Sequence, residues 1–234
     1  WELWNVLTQL SFTILVAFLI FRMRANTQMA VSIGLLVLTE LLYRTVLIEG
    51  FDQPFVEGRN FGAWMDTVLM GKVNGDGWVA INCLPTAAHT IWGVLAGKLL
   101  MSSRDVLDKI KRLAAFGAIG LAVGYGMDWT GITPIIKRVA TSSSTIASGG
   151  WCLVTLAACY WAIDHRGWRR WTSVFAIVGM NSIFIYMFSQ TLGKQWFNGF
   201  VGIFTTGFLE SLGATSAAAA TTNALVVLGL EWYL

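Results

Sequence analysis

Apolar residues run along this chain in long blocks separated by short polar clusters, without the strict alternation of half-buried strands. A helix that crosses a bilayer needs about 20 predominantly apolar residues. Seven blocks approach that length: 4–21, 29–48, 79–101, 113–127, 147–163, 171–190 and 216–234. The fourth is short at its start and gains length if the amphipathic run 105–112 continues the helix. Two further helices are expected in the connections, an amphipathic surface helix from Phe61 to Met70 and a re-entrant or interfacial helix from Phe200 to Leu212. The pattern predicts an all-α fold, a polytopic transmembrane helix bundle of about seven spans forming one domain over 1–234.

Composition strengthens that expectation. With 56% hydrophobic residues, 12% charged and 12 Trp in 234 positions, the chain is far too apolar for an ordinary soluble domain. Its mean hydropathy is +0.62. The lipid bilayer is thus its first partner, and neither a nucleic acid nor a metal is implied. Cys83, Cys152 and Cys159 are scattered without ligand spacing and read as small packing residues. The start, Trp1-Glu2-Leu3-Trp4, has no initiator Met, basic n-region or small-residue cleavage site. It reads as a mid-protein boundary with sequence upstream.

The net charge of +3 matters less than where the charges fall. Arg22, Arg24, Arg104, Lys109, Lys111, Arg112, Arg166, Arg169 and Arg170 occupy one set of alternating connections, against Arg59, Lys72, Lys137, Arg138 and Lys194 in the other. The positive-inside rule puts the first set in the cytoplasm, with Trp1 outside and Leu234 inside. The outer connection 49–78 carries Glu49, Asp52, Glu57, Asp66 and Asp76 with Gly58, Gly62, Gly71, Gly75 and Gly77. Connections this long are functional or disordered, and its aromatic content argues against disorder.

Several polar residues lie where an ordinary span would be apolar. Glu40 and Arg44, one helical turn apart, can form a neutralised pair, or Arg44 can face an aqueous vestibule and bind an anionic group. His89 lies halfway along the third span on a helix whose Gly93 and Gly97 offer a small-residue packing face, as do Ala217 to Ala220 near the C-terminus. It reads equally as hydrogen-bonded structure or as an acid–base group. Lys98 can snorkel to the cytoplasmic interface. Lys137 and Arg138 follow Pro134 and precede the hydroxyl run Thr141 to Ser144. They read as a solvated loop or as the cationic lip of a polar funnel. Asn181 and Ser182, in the Gly179-Met180-Asn181-Ser182 cluster, can bond across a helix interface or hold a ligand. The Trp168-Arg169-Arg170-Trp171 stretch is an interfacial anchor that can also meet phosphates.

Four blocks occur in a familiar order: Gly93-Val94-Leu95-Ala96-Gly97-Lys98-Leu99, then Ile132-Thr133-Pro134-Ile135-Ile136-Lys137-Arg138 with Thr141-Ser142-Ser143, then Ser148-Gly149-Gly150-Trp151, then Gly179-Met180-Asn181-Ser182-Ile183. Over about residues 78 to 190 the chain resembles the heparan-α-glucosaminide N-acetyltransferase family, its bacterial members above all. The resemblance implies about eleven spans with a cytoplasmic C-terminus. It also implies a bacterial inner-membrane enzyme that passes acetyl from cytoplasmic acetyl-CoA to an amino sugar or glycan on the outer side. The His-x-x-Trp-x-Gly pattern that carries that family's acetyl-transfer His is absent from this chain. The chain is therefore expected to be the C-terminal part of a longer protein whose upstream part supplies the catalytic His.

On that resemblance Asn181, Ser182, His89 and Ser142 are candidates for an acyl pocket, and Lys137, Arg138, Arg44 and Glu40 for acceptor binding. Arg22, Arg24, Lys98, Arg169 and Arg170 are candidates for the CoA phosphates. Two other readings stay open. One is a non-catalytic membrane subunit packing against further copies or other integral proteins, which the missing His pattern and the small-residue faces favour. The weaker one is a small-molecule transporter, which lacks the expected inverted repeat.

Overall fold

A computed structural model describes residues 2–170, 172–211, 213 and 215–233. Trp171, Leu212 and Leu234 lie outside the described residues, and so does the side chain of Lys194. Among the described residues the chain is all-helical, with ten α-helices and no strand. It forms two compact units, Trp1–Arg166 and Gly167–Leu234.

The first unit contains α1 (Val6–Ile20), α2 (Ala25–Thr45), α3 (Phe61–Met70), a 3₁₀ turn (Ala80–Asn82), α4 (Cys83–Leu100), α5 (Val106–Trp129) and α6 (Ser142–Tyr160). A π-turn over Trp161–His165 closes α6. The helix starts are chemically marked. The Asn5 side chain accepts from Leu7 N, Asp105 from Leu107 N and Asn60 from Ala63 N, each at 3.0 Å. The run 105–112 does join the fourth apolar block, because the Asp105 cap starts one helix that continues to Trp129. Helix α3 spans the expected ten residues and stops at Gly71, whose φ of 69° an L side chain rarely adopts. It buries one face, with Phe61, Gly62, Ala63 and Asp66, and leaves Val68 and Leu69 exposed.

Helices α2, α4, α5 and α6 run alternately up and down. The end that bears α3 and the connection 130–141 is the cap, and the opposite end is the base. Glycines bring α5 and α6 into backbone contact: a Cβ on Gly124 would stand 2.6 Å from Ala147 N, and one on Gly150 would stand 2.8 Å from Gly117 O. The expected seam at Gly93 and Gly97 is not there, since a Cβ on either would meet open space. Small residues permit close approach only where a second helix lies opposite. At the cap, Tyr43, Phe61, Ala63, Val79, Ile81 and Val139 form the core.

The second unit contains α7 (Thr172–Met180), α8 (Ser182–Phe188), a π-helical segment (Ser189–Phe197), α9 (Asn198–Ser211) and α10 (Ser216–Tyr233). The sixth apolar block is therefore not one helix. It breaks at Asn181, whose φ of −111° and ψ of 20° leave the helical region. Asn competes with the helix ladder through its own side chain and suits such a break. Helices α9 and α10 pack together, with Ala219 fully buried and the Thr205 hydroxyl 2.6 Å from Asn223 Oδ1.

Among the described residues, two helices are long and apolar enough to cross a membrane, Ala25–Thr45 and Ser142–His165. The other expected spans fall short for separate reasons. Helix α1 has 15 residues, the block 171–190 is interrupted, and α4, α5 and α10 are diluted by charged, polar and small residues.

Candidate functional site: a buried polar seam and a charged pocket

The cap end concentrates polar chemistry in two places. The first is a seam where α2, α4 and the connection 130–141 meet the first two turns of α6. Glu40 is its hub: Oε1 accepts from Arg44 Nε and from the Thr133 hydroxyl, both at 2.7 Å, and Oε2 accepts from the Ser142 hydroxyl at 2.9 Å. Arg44 also donates to the Ile132 carbonyl and to Thr133 Oγ1, and its guanidinium lies 5.0 Å from the Phe55 ring centroid. The pair expected from the four-residue spacing is thus the core of a five-residue network that ties α2 to α6.

His89 reaches the same helix. Its Nε2 is 2.7 Å from the Thr145 carbonyl and 3.1 Å from Ser148 Oγ, and its ring meets Trp92 edge-on. A carbonyl can only accept, so Nε2 carries the hydrogen and Nδ1 is the basic nitrogen. The indole of Trp92 in turn donates to Ser32 Oγ on α2 at 2.9 Å. Ser142 and His89 therefore act on adjacent turns of α6.

The hydroxyl run has a structural destination. Thr141 and Ser143 both donate to the Pro134 carbonyl, at 2.7 and 2.8 Å, and Thr141 Oγ1 accepts from Ile136 N. Asp128 accepts from Ile135 N at 2.8 Å, and Asn82 Nδ2 donates to the Arg138 carbonyl at 2.7 Å. These hydroxyls do not line a funnel, because they are spent on pinning the loop that presents Lys137 and Arg138. Pro134 has no N–H, and its carbonyl is the anchoring acceptor instead.

The second place is the pocket that loop builds. Lys137, Arg138, Ile135 and Ile136 line a cavity of about 700 Å³ with Glu57, Asp76 and Trp78. Arg138 Nη1 pairs with Glu57 Oε2 at 2.7 Å, and the Glu57 carboxylate strengthens the guanidinium's hold on its proton. The Lys137 ammonium lies 5.8 Å from the Trp78 ring centroid. Glu57, Asp76 and Trp78 were not singled out by their sequence. Their signal was only the cluster of acids and glycines in 49–78, where Gly77, at φ 78°, leaves room for the Glu57 side chain.

On α3, Asp66 is fully buried. Its Oδ1 accepts from Ala80 N at 3.1 Å, and its Oδ2 has no protein partner. Burial pushes the carboxyl up to about 6, against the pull of that N–H. Gly62, one turn earlier on α3, leaves space that the Tyr43 hydroxyl fills.

The remaining candidates are scattered. Arg22 and Arg24 are exposed at the base, where Lys98 donates to the Phe21 carbonyl at 2.5 Å and lies 4.5 Å from the Phe21 ring centroid. Buried Gln28 donates to the carbonyls of Ile20, Phe21 and Met23. Lys98 and Gln28 thereby satisfy the open end of α1. Arg169 and Arg170 are exposed in the second unit, as are Asn181 and Ser182 at the break between α7 and α8. Among the described residues no group of His, Cys, Asp or Glu is placed to hold a metal ion. Compared with protein-family models, curated proteins and solved structures, the chain has no match.

Proposed function

We propose that this chain is a polytopic membrane acyltransferase that moves acetyl from acetyl-CoA to the amine of an amino sugar. The observation that carries this reading is the cap pocket, where an indole, two carboxylates and two cations converge on one cavity. That combination suits a hydroxylated, amine-bearing ring. Trp78 offers an apolar face for the sugar, Glu57 and Asp76 suit its ammonium, and Lys137 and Arg138 suit hydroxyl or acidic groups on the glycan. The four-block resemblance supports the reaction class. The two long apolar helices and outward-facing Phe18 and Leu19, 75% and 67% exposed, support the membrane.

Acetyl-CoA supplies a thioester carbonyl. The unprotonated sugar amine attacks that carbon, the C–N bond forms, the C–S bond breaks, and CoA departs as its thiol while the amine gives up a proton. A carboxylate beside the amine, Glu57 or Asp76, is suited to hold the ammonium and accept its proton. Exposed Arg22 and Arg24, with the two N–H bonds of Lys98 that Phe21 leaves free, are suited to the CoA phosphates. In this reading the base faces the cytoplasm of a bacterial inner membrane and the cap faces outward.

The test is acetylation of glucosamine by the purified full-length protein given radiolabelled acetyl-CoA. N-acetylated product above a boiled control is expected, and its absence would overturn the reading in favour of a non-catalytic membrane subunit.

A further inference from the structure

An open groove of about 760 Å³ lies on the first unit. Helices α2 and α5 form its walls, and α4 and α6 its floor. Ile33 and Val37 on one wall, and Phe116, Ile119 and Val123 on the other, are each about half exposed. They face the space without a protein neighbour to fill it.

The two ends of the groove differ in charge. At the cap, Glu40 and Ser142 line it, but both oxygens of Glu40 are already engaged by Arg44, Thr133 and Ser142. At the base, Asn26, Arg104 and Arg112 line it. Both arginines share the Asp108 carboxylate, at 3.3 and 2.9 Å, and hold it below the usual carboxylate range. Two guanidiniums against one carboxylate leave a positive charge and unused N–H donors at that end. From Asn26 to Glu40 the groove follows α2 for about 21 Å at 1.5 Å per residue. That exceeds the roughly 15 Å of one leaflet's hydrocarbon.

We infer that this groove binds an acyl chain of an anionic phospholipid from the surrounding bilayer, with the lipid phosphate at Arg104, Arg112 and Asn26. The inference rests on the membrane reading and is independent of acetyl transfer. Charge and size select this occupant. A neutral apolar ligand would leave the arginine end unused. A helix 10–12 Å across and 21 Å long takes up roughly twice the cavity volume or more. The polar cap end, lined by Glu40 and Ser142, is where the apolar chain stops.

The experiment places the purified protein in nanodiscs with phosphatidylglycerol or phosphatidylcholine of identical chains, each carrying a photoreactive diazirine in the acyl tail. Labelled peptides are then mapped by mass spectrometry. Phosphatidylglycerol is expected to label 29–37 and 116–123 about fivefold more than phosphatidylcholine, the preference that one uncompensated positive charge at a membrane surface confers. The double variant Arg104→Gln/Arg112→Gln removes that preference, with an unchanged helical spectrum showing that it folds. Ile119→Trp, which fills the groove, lowers labelling by both lipids at these peptides. Equal labelling by the two lipids in the wild type overturns the inference. So does displacement of the lipid by long-chain acyl-CoA at an equal or lower concentration.

Discussion

The cap seam and the groove beside it share α2 and α6 but are built on opposite principles. In the seam, buried hydroxyls and the half-buried Glu40 use nearly every donor and acceptor on one another: Glu40 accepts three hydrogen bonds, and Thr141 and Ser143 converge on one carbonyl. In the groove, apolar side chains face open space. Polar groups withdrawn from water must find partners within the protein, so the seam is closed and directional. Apolar surface has no such requirement and can be completed by lipid. The difference predicts where substitutions will hurt.

Glu40→Ala carries the largest expected effect, because it strands Arg44, Thr133 and Ser142 together. A loss of roughly 2–4 kcal/mol is expected from the two buried hydroxyls that lose a charged acceptor, the exposed Arg44 adding little; it is measurable by denaturant unfolding in detergent, with Glu40→Gln retaining part of the stability. Gly124→Val should follow at about 1–3 kcal/mol, because its first added carbon overlaps the backbone of Ala147. A Gly93→Val control, facing open space, should cost distinctly less.

Asp66→Asn acts in the other direction. Its carboxyl titrates near 6 in the fold against about 3.9 in an unfolded chain. The raised value means that folding favours the neutral acid. Stability from this group is present in full below pH 4 and is lost as pH rises through 6. The amide keeps the acceptor for Ala80 and removes the buried charge. The variant should therefore be more stable than wild type at pH 7, by about 1–2 kcal/mol, and equal to it at pH 4. Thermal unfolding at the two pH values checks this. Smallest of all, Ile119→Ser on the groove wall should change stability by less than about 1 kcal/mol, as the same unfolding assay can show.

What the sequence revealed follows the same division. Helix α3 was legible because the apolar spacing from Phe61 to Met70 is local, and the Asn60 cap and Gly71 stop that bound it in the structure are local too. The joining of 105–112 to the next block was legible for the same reason. The glycine seam was misplaced to Gly93 and Gly97 because its existence depends on which helix lies opposite. The break at Asn181 was missed because hydropathy averages across one residue. The hydroxyls of Thr141 to Ser143 looked like a funnel because their shared target, the Pro134 carbonyl, is a backbone atom with no residue type to betray it. Glu57, Asp76 and Trp78 are brought to Lys137 and Arg138 across roughly 60 to 80 positions of chain, a proximity that only the fold creates.

The central claim is that this pocket is the acceptor site of an acyltransferase. Equilibrium dialysis of radiolabelled glucosamine against the wild type and Trp78→Ala tests it most directly. Saturable binding that the wild type shows and Trp78→Ala loses is the predicted result. No saturable binding to the wild type, or equal binding to both, would contradict it.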